Sequence, residues 1–320
     1  MKYRKLGRTD LRVSNYCLGS MTWGEASSEK EGHWQLDTAV AHGINFVDTA
    51  EMYPTNPLSR ETAGKTEEII GSWLKSRGDR NNIIIASKIA GEGCKTVRNG
   101  DPITGSSIEL ALDDSLARLQ TDYIDLYQLH WPNRGSDHFR KHWSYRPQNH
   151  NVTETYDNIL DVLKTLSKLI KKGKIRAIGL SNESCWGTMK FLDIAKDYNL
   201  ARVATVQNEY SLLCRLYDTD MAEMSTHEDV HLLAYSPLAA GFLTGKYQDE
   251  KIPTGSRLNT SPGLNGRINC RSKKAVAGFL AIKKKYNLSP IHMALAFCAE
   301  KSFMGSVIFG ATRRSQLETI

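Results

Sequence analysis

The strongest constraint on the fold is the alternation of eight short apolar runs with segments whose apolar residues recur at helical spacing. The apolar runs predict strands at residues 16–20, 44–48, 82–88, 123–130, 175–181, 205–208, 231–237 and 306–310. The helical segments lie at residues 34–42, 62–77, 107–120, 155–172, 189–198, 217–225, 273–286 and 290–300. Short apolar strands that alternate with helices are typical of a parallel sheet buried on both faces. Eight such units in 320 residues predict an α/β protein folded as a (β/α)8 TIM barrel.

A doubly wound open sheet is the alternative arrangement of the same elements. Its dinucleotide-binding form carries a G-x-G-x-x-G turn after the first strand, and the sequence GSMTWG at residues 19–24 lacks that pattern. Residues 3–13 read as two short strands around a turn that contains Gly7, which predicts an N-terminal β-hairpin closing the bottom of the barrel. We expect residues 1–320 to form a single barrel domain.

Composition and charge exclude several classes of protein. The chain is 40% hydrophobic and 24% charged, which is typical of a globular protein with a large core. No run approaches the roughly 18 apolar residues of a membrane span. The N-terminus lacks the apolar region of a signal peptide, so we expect a soluble cytoplasmic protein. The net charge of +7 lies largely in lysine runs at the ends of predicted helices, which favours solvated helix ends over nucleic-acid binding.

Metal and disulfide chemistry are not expected. The six cysteines form no C-x-x-C pair, which argues against both a disulfide framework and a zinc site. No His/carboxylate cluster at the strand ends offers three ligands, so we predict no metal.

Polar side chains stand at the ends of three consecutive predicted strands. The second strand ends in Asp48, the third in Lys88 and the fourth in His130, and Tyr53 follows Asp48 on the next loop. Each residue alone is typical of a cap, a surface charge or a hydrogen-bonded structural histidine. At equivalent positions on neighbouring strands of a barrel, whose active site lies at this end, they predict a catalytic group.

The sequence GINFVDTAEMY at residues 43–53, with Lys88 and His130, resembles the aldo-keto reductase family over essentially the whole chain. Residues 45–54, 83–88 and 129–132 are most similar to its bacterial Tas-like branch, with potassium-channel β-subunits as more distant relatives. The resemblance implies hydride transfer between NADPH and an aldehyde or ketone. It makes Tyr53 the general acid, with its phenolate stabilised by Lys88 and Lys88 held charged by Asp48, while His130 binds the carbonyl oxygen.

The resemblance also implies how NADP(H) is held. Ser181, Asn182 and Gln207 correspond to residues that bind the nicotinamide carboxamide, and Tyr210 to the aromatic residue that stacks on the ring. Residues 235–247 resemble the pyrophosphate loop. The spacing of Gly241 and Gly245 in this segment does not match a nucleotide-hydrolase P-loop. The cofactor contacts so predicted are Gly19, Ser20, Met21, Asp48, Ser181, Asn182, Gln207, Tyr210, Tyr235, Ser236, Pro237, Leu238, Ala239, Ala240, Lys246, Arg257, Gly310, Thr312, Arg313 and Gln316.

The end of the chain departs from the family pattern. Relatives carry an acidic residue and an asparagine that help to hold the adenine, where this chain has Thr319 and Ile320. They also continue through a longer last helix and a C-terminal segment, so we expect that segment to be missing here. An exposed turn is the alternative interpretation of Arg313 and Arg314, which otherwise favour a bound phosphate.

Trp23, Met52 and Trp131 are the predicted substrate-pocket residues, with Met21 and Tyr210 also near the rim. The basic loop at residues 133–154 either attracts an anionic carbonyl substrate or is a mobile surface loop. A small-molecule carbonyl compound is the expected partner, and the oligomeric state is left open.

Two functions of other classes remain as alternatives. One is a redox-sensing module that holds NADP(H) and reports its state to a partner, with slow turnover. The other is a barrel isomerase or aldolase in which Lys88 forms a Schiff base, and Asp48 argues against it because a carboxylate keeps the lysine charged.

Overall fold

The computed structural model describes residues 1–248 and 252–320. Eight of the described strands run parallel and close into a barrel in chain order, with the last strand paired to the first. The barrel strands are β3 (Tyr16–Gly19), β4 (Phe46–Asp48), β5 (Ile84–Ile89), β6 (Ile124–Leu129), β7 (Ile175–Ser181), β8 (Val203–Glu209), β9 (His231–Tyr235) and β10 (Met304–Phe309). The structure therefore confirms the predicted TIM barrel, and the open-sheet alternative is wrong.

Most of the helices pack around the outside of the barrel. In the described residues they are α1 (Glu29–Ala41), α2 (Lys65–Arg77), α3 (Gly105–Leu119), α4 (Val152–Lys171), α5 (Cys185–Asp197), α6 (Asp220–Glu228), α7 (Arg257–Thr260), α8 (Cys270–Tyr286), α9 (Pro290–Ala299) and α10 (Arg314–Thr319). The short helix α7 was not expected from the sequence, whereas α10 is the beginning of the expected last helix. None of the helices in the described part of the chain is long and apolar enough to cross a membrane.

The predicted strand bounds agree with the structure to different degrees. Strand β7 has the predicted bounds, whereas β4 begins two positions late, at Phe46. The reason lies in Asn45, whose side chain accepts a hydrogen bond from the Ser14 amide and donates one to the Arg12 carbonyl. The side chain of Asn45 thus joins the N-terminal hairpin to the barrel, while its carbonyl oxygen accepts the Ile84 amide of β5 at 2.7 Å.

The N-terminal hairpin closes the amino-terminal end of the barrel, as predicted. Its strands β1 (Tyr3–Lys5) and β2 (Arg12–Ser14) pair antiparallel. Leu6, Leu11 and Val13 pack in one buried cluster with inward-facing residues of the barrel strands. At the turn, the Gly7 amide donates to His231 Nδ1 at 2.9 Å. Gly7 has φ of +51°, and a side chain there would meet the Asp229 carbonyl oxygen at 2.7 Å, so this close approach requires glycine.

Candidate active site

The carboxyl ends of β4 and β5 bring a carboxylate and an amine together inside the barrel. Lys88 Nζ donates to Asp48 Oδ2 at 2.7 Å and to the Thr49 carbonyl oxygen at 2.7 Å. The Lys88 side chain is completely buried. Burial lowers the pKa of Lys88, but its interactions with Asp48 and Tyr53 together raise it more, and the net shift is upward. The amine is therefore charged at neutral pH.

Tyr53 stands next to this ion pair. Its hydroxyl lies 3.4 Å from Lys88 Nζ, and the same ammonium lies 4.9 Å from the centre of its ring. Burial raises the pKa of Tyr53, and the charge of Lys88 opposes this shift without reversing it. Lys88 thus acts in the expected direction, but the phenol keeps its proton at neutral pH.

His130 completes the group at the end of β6. Its ring lies edge-on to the Tyr53 ring, with the two centroids 5.7 Å apart. Burial, with a further contribution from the charge of Lys88, lowers the pKa of His130 well below its ordinary value. Its buried Nδ1 has no partner among the described residues. The imidazole is therefore neutral beside a protonated phenol.

Two amides hold the Asp48 carboxylate from the other side. Gln207 Nε2 donates to Asp48 Oδ1 at 2.8 Å, and Gln128 Nε2 approaches the same oxygen at 3.4 Å. Just beyond the end of the neighbouring strand β3, the Ser20 hydroxyl donates to the Asp48 carbonyl oxygen at 2.7 Å. Both carboxylate oxygens are thus occupied, which fixes the orientation of the oxygen that faces Lys88.

A second hydrogen-bonded group lies at the ends of β7 and β9. Asn182 Nδ2 donates to the His130 carbonyl oxygen at 2.9 Å and to the Ser181 hydroxyl at 3.1 Å. The Tyr235 hydroxyl donates to Asn182 Oδ1 at 2.8 Å. Ser181 donates in turn to the Gln207 carbonyl oxygen. The structure therefore brings Ser181, Asn182, Gln207 and Tyr235 together on the side of the barrel mouth next to His130.

The segment after β9 forms a tight backbone cradle. Its backbone enters the left-handed region at Ser236, Ala239, Ala240 and Gly241, with φ of 56°, 49°, 57° and 89°. Pro237 is buried, and the Leu238 carbonyl accepts the Gly241 amide at 2.9 Å. Lys246 lies across Gly241, since a side chain at Gly241 would come within 2.8 Å of its Nζ. A run of non-glycine residues in this conformation is costly and is typical of ligand sites.

Arg257 is a partly exposed cation without a carboxylate partner within ion-pair distance in the described part of the chain. Burial lowers the pKa of Arg257, and the nearby charge of Arg267 adds to this effect. Its charge reaches Tyr53, whose pKa it pulls downward. A partly desolvated cation beside another cation favours an anionic ligand, because no carboxylate in the described part of the chain offsets its loss of hydration.

The turn after β10 lies against the end of β3. A side chain at Gly310 would come within 3.2 Å of the Gly19 carbonyl oxygen, so the two backbones are close here. The side chain of Gln316 accepts the Thr312 amide at 2.9 Å and fixes the turn. Arg313 is exposed and donates to the Thr254 carbonyl oxygen at 2.9 Å.

Buried glutamates fix the basic loop between β6 and α4 above the barrel. Glu183 binds Arg134 through both carboxylate oxygens. Glu209, at the end of β8, binds Arg140 from this loop and Arg267 from the segment before α8. These charges are neutralised within the protein, so Arg134 and Arg140 are not available to attract an anionic substrate, and the loop is anchored at two points.

Comparison with known proteins places this site in a family. The family model described as "Aldo/keto reductase family" matches residues 15–320. The chain is 43% identical to "Protein tas" of Escherichia coli (strain K12) over 323 residues, covering 100% of this chain and 92% of that protein. It is 34% identical to "Uncharacterized oxidoreductase YrpG" of Bacillus subtilis (strain 168), covering 99% and 89%. It is 28% identical to "Probable voltage-gated potassium channel subunit beta" of Arabidopsis thaliana, covering 99% and 89%.

The chain belongs to the aldo/keto reductase family. The match to Tas confirms the resemblance to the Tas-like branch, and the plant channel subunit confirms the more distant relationship. Membership supports an oxidoreductase with a general carbonyl-reductase role, in a family whose enzymes use nicotinamide cofactors.

In this aldo/keto reductase, Tyr210 does not lie at the rim. Its side chain is completely buried and its hydroxyl donates to Asp218 at 2.7 Å. Phe297 of α9 stacks on its ring at 5.8 Å with an angle of 9°. The prediction that Tyr210 stacks on the nicotinamide and lines the mouth is therefore wrong. Tyr235, at the end of β9, is the aromatic residue that lies beside Asn182.

Trp23 was also predicted wrongly as a pocket residue. It is completely buried among helices, with its indole nitrogen donating to Gln35 of α1 at 3.3 Å. By contrast, Met52 and Trp131 form one cluster with Tyr53, and Met21 packs on its edge. These three residues lie beside Tyr53, and their role in a substrate pocket stays a prediction.

Sequence reasoning missed two residues of this site, Gln128 and Glu209. Gln128 is paired in register with Lys88 on the neighbouring strand, which places it beneath the ion pair. A glutamine inside an otherwise apolar barrel strand is a sequence signal from which this position could have been predicted. Arg314, which was considered for the cofactor turn, instead pairs with Glu31 at 3.4 Å and covers Trp34.

Proposed function

We propose that this protein is an NADPH-dependent reductase of aldehydes and ketones, with Tyr53 as the proton donor. The observation that carries the proposal is the contact of a protonated, buried phenol with a buried ammonium and a neutral imidazole at one end of the barrel. When bound, the nicotinamide supplies a hydride to the carbonyl carbon. The protein's part is to hold the carbonyl oxygen and to give it a proton.

Each residue of the group has a separate role in this proposal. Tyr53 keeps its proton at neutral pH because burial raises its pKa, so it is ready to act as an acid. Lys88 stabilises the phenolate that remains after proton transfer, and Asp48 keeps Lys88 charged and oriented. Neutral His130 donates a hydrogen bond to the carbonyl oxygen, which polarises it.

The residues around the mouth fit a dinucleotide that carries phosphates. Arg257 and Lys246 are cations without carboxylate partners among the described residues, and Lys246 lies across the backbone cradle at residues 236–241. Ser181, Asn182 and Gln207 offer amide and hydroxyl groups for the nicotinamide end. We assign the adenosine end to Thr312, Arg313 and Gln316, and close backbone contacts with the cofactor to Gly19, Ser20, Met21 and Gly310.

Replacement of Tyr53 by Phe tests the assignment of the acid. We expect kcat for 4-nitrobenzaldehyde to fall by about 10²- to 10⁴-fold, the usual contribution of a general acid, while the NADPH dissociation constant stays within about threefold. Steady-state kinetics and a fluorescence titration with NADPH measure the two quantities. Tyr123→Phe is the matched control, because its hydroxyl contacts Asn81 at the opposite end of the barrel.

The outcomes separate the alternatives. Tyr53→Phe with more than about a tenth of wild-type kcat would show that another group supplies the proton. A wild-type protein that binds NADPH tightly but completes only one slow turnover would favour the redox-sensing module. That alternative has a specific observation behind it, the similarity to a potassium channel subunit.

A further inference from the structure

Phe139 is an exposed aromatic residue in a strained turn above the barrel mouth. Its side chain is 52% exposed. Phe139 and Arg140 both have positive φ, 55° and 66°, which residues with side chains rarely adopt. Two such residues in succession persist only where the surroundings hold them, and they are concentrated at functional sites.

Contacts on both sides hold this turn. Arg140 binds the buried carboxylate of Glu209 at the end of β8, so the turn is tied to the barrel rim. The Phe139 ring meets the Trp131 ring edge-on, with centroids 6.0 Å apart and an angle of 89°. The Arg140–Glu209 ion pair therefore holds the Phe139 ring against Trp131, where the Phe139 ring stays partly exposed.

Trp131 connects Phe139 to the reacting group. Its ring centroid lies 5.0 Å from that of His130, and its indole nitrogen donates to the Glu92 carbonyl oxygen at 3.1 Å. A side chain at Gly91 would overlap Trp131, so the indole is held between two segments. His130, Trp131 and Phe139 thus form a continuous row of rings from the reacting group to solvent.

We propose that Phe139 is a specificity-determining residue and that it forms the outer wall of the substrate site. The substrates it favours are carbonyl compounds with a flat apolar group long enough to pass Trp131. This inference rests on the proposed reductase function. Arg140 and Glu209 act as positioning residues, because they reach the substrate only through the placement of Phe139.

The test compares a long and a short aldehyde. We expect Phe139→Ala to raise the ratio of KM for 2-naphthaldehyde to KM for propanal by about 2- to 13-fold, which corresponds to the loss of one aromatic contact. Phe139→Leu keeps bulk without the ring and should show a smaller rise. Trp143→Ala is the matched control, since Trp143 is a more exposed ring of the same loop, at 83%, whose aromatic contact is with His142.

Different outcomes would overturn different statements. If wild-type protein reduces both aldehydes and Phe139→Ala leaves the ratio of the two KM values unchanged, Phe139 is not a specificity residue. An equal change of that ratio in Trp143→Ala would also overturn the role, because the effect would then belong to the whole loop. If the wild type reduces neither aldehyde with NADPH, the proposed function fails and the role of Phe139 fails with it. Thermal melts of both Phe139 variants establish that they are folded.

Discussion

Replacement of Lys88 by Met separates the chemical role of the ammonium from its structural role. The variant keeps an apolar chain of similar length but removes the charge that lies 2.7 Å from Asp48 Oδ2 and 3.4 Å from the Tyr53 hydroxyl. Loss of one partner of a buried ion pair costs about 3–5 kcal/mol of folding free energy. Asp48 retains the Gln207 amide at 2.8 Å, so we expect about 3 kcal/mol, which is more than 100-fold in the unfolding equilibrium.

The pH dependence of this cost has a definite sign. With its cation removed, Asp48 in the folded variant favours the protonated form, so the folded state binds more protons than the unfolded state. Stability of the variant then rises as the pH falls, and its difference from wild type shrinks. The double variant Asp48→Asn/Lys88→Met removes both charges and should recover most of the stability without any recovery of turnover.

Urea unfolding at about pH 7.5 and about pH 5.5 measures these differences for the wild type and the two variants. In parallel, any residual alcohol oxidation by Lys88→Met should move to higher pH, because the phenolate of Tyr53 becomes harder to form. Equal unfolding free energies of wild type and Lys88→Met at about pH 7.5, within about 0.5 kcal/mol, would refute the reasoning from the buried pair. A covalent adduct at Lys88 after borohydride treatment with a carbonyl substrate would instead support Schiff-base chemistry.

Two further predictions concern other parts of the molecule. We propose that Arg257 binds the 2′-phosphate, the group that distinguishes NADPH from NADH. Arg257→Met should then weaken NADPH binding by about 10- to 150-fold and NADH binding much less. Arg314→Met, whose guanidinium pairs with Glu31, is the control, and equal losses for both cofactors would contradict this role of Arg257. His231 accepts a hydrogen bond from the Gly7 amide, and burial and the charge of Arg4 lower its pKa. The contribution of His231 to folding stability is therefore fully present above about pH 6.5 and falls as the pH drops. His231→Asn keeps a hydrogen-bond acceptor, and its urea unfolding midpoint should lack this pH dependence.

The proximity of Asp48, Lys88 and His130 could be predicted from the sequence, because each lies at the end of a predicted strand and consecutive parallel strands are neighbours in a barrel. The position of Tyr53 could also be predicted, because Tyr53 lies on the loop that begins after Asp48. The direction of a side chain just beyond a strand does not follow from this reasoning. Trp23 and Tyr210 both follow a strand end, yet one turns towards Gln35 and the other towards Phe297.

Contacts between segments that are far apart in the chain could not be predicted from the sequence either. The pairing of Glu209 with Arg140 and Arg267 joins three segments far apart in the chain, and single residues of either charge are common in such loops. The shift in the pKa of Tyr53 also depends on how completely the phenol is buried, which no spacing of residues encodes.

The hairpin at the amino-terminal end of the barrel has a consequence for how this protein can change over evolution. Leu6, Leu11 and Val13 fill the lower half of the barrel with apolar contacts that share no residue with the hydrogen bonds around Asp48 and Lys88. Substitutions in the loops above the mouth therefore act far from the packing that maintains the fold. New substrate preferences can arise there at little expense to stability, which makes the scaffold easy to diversify.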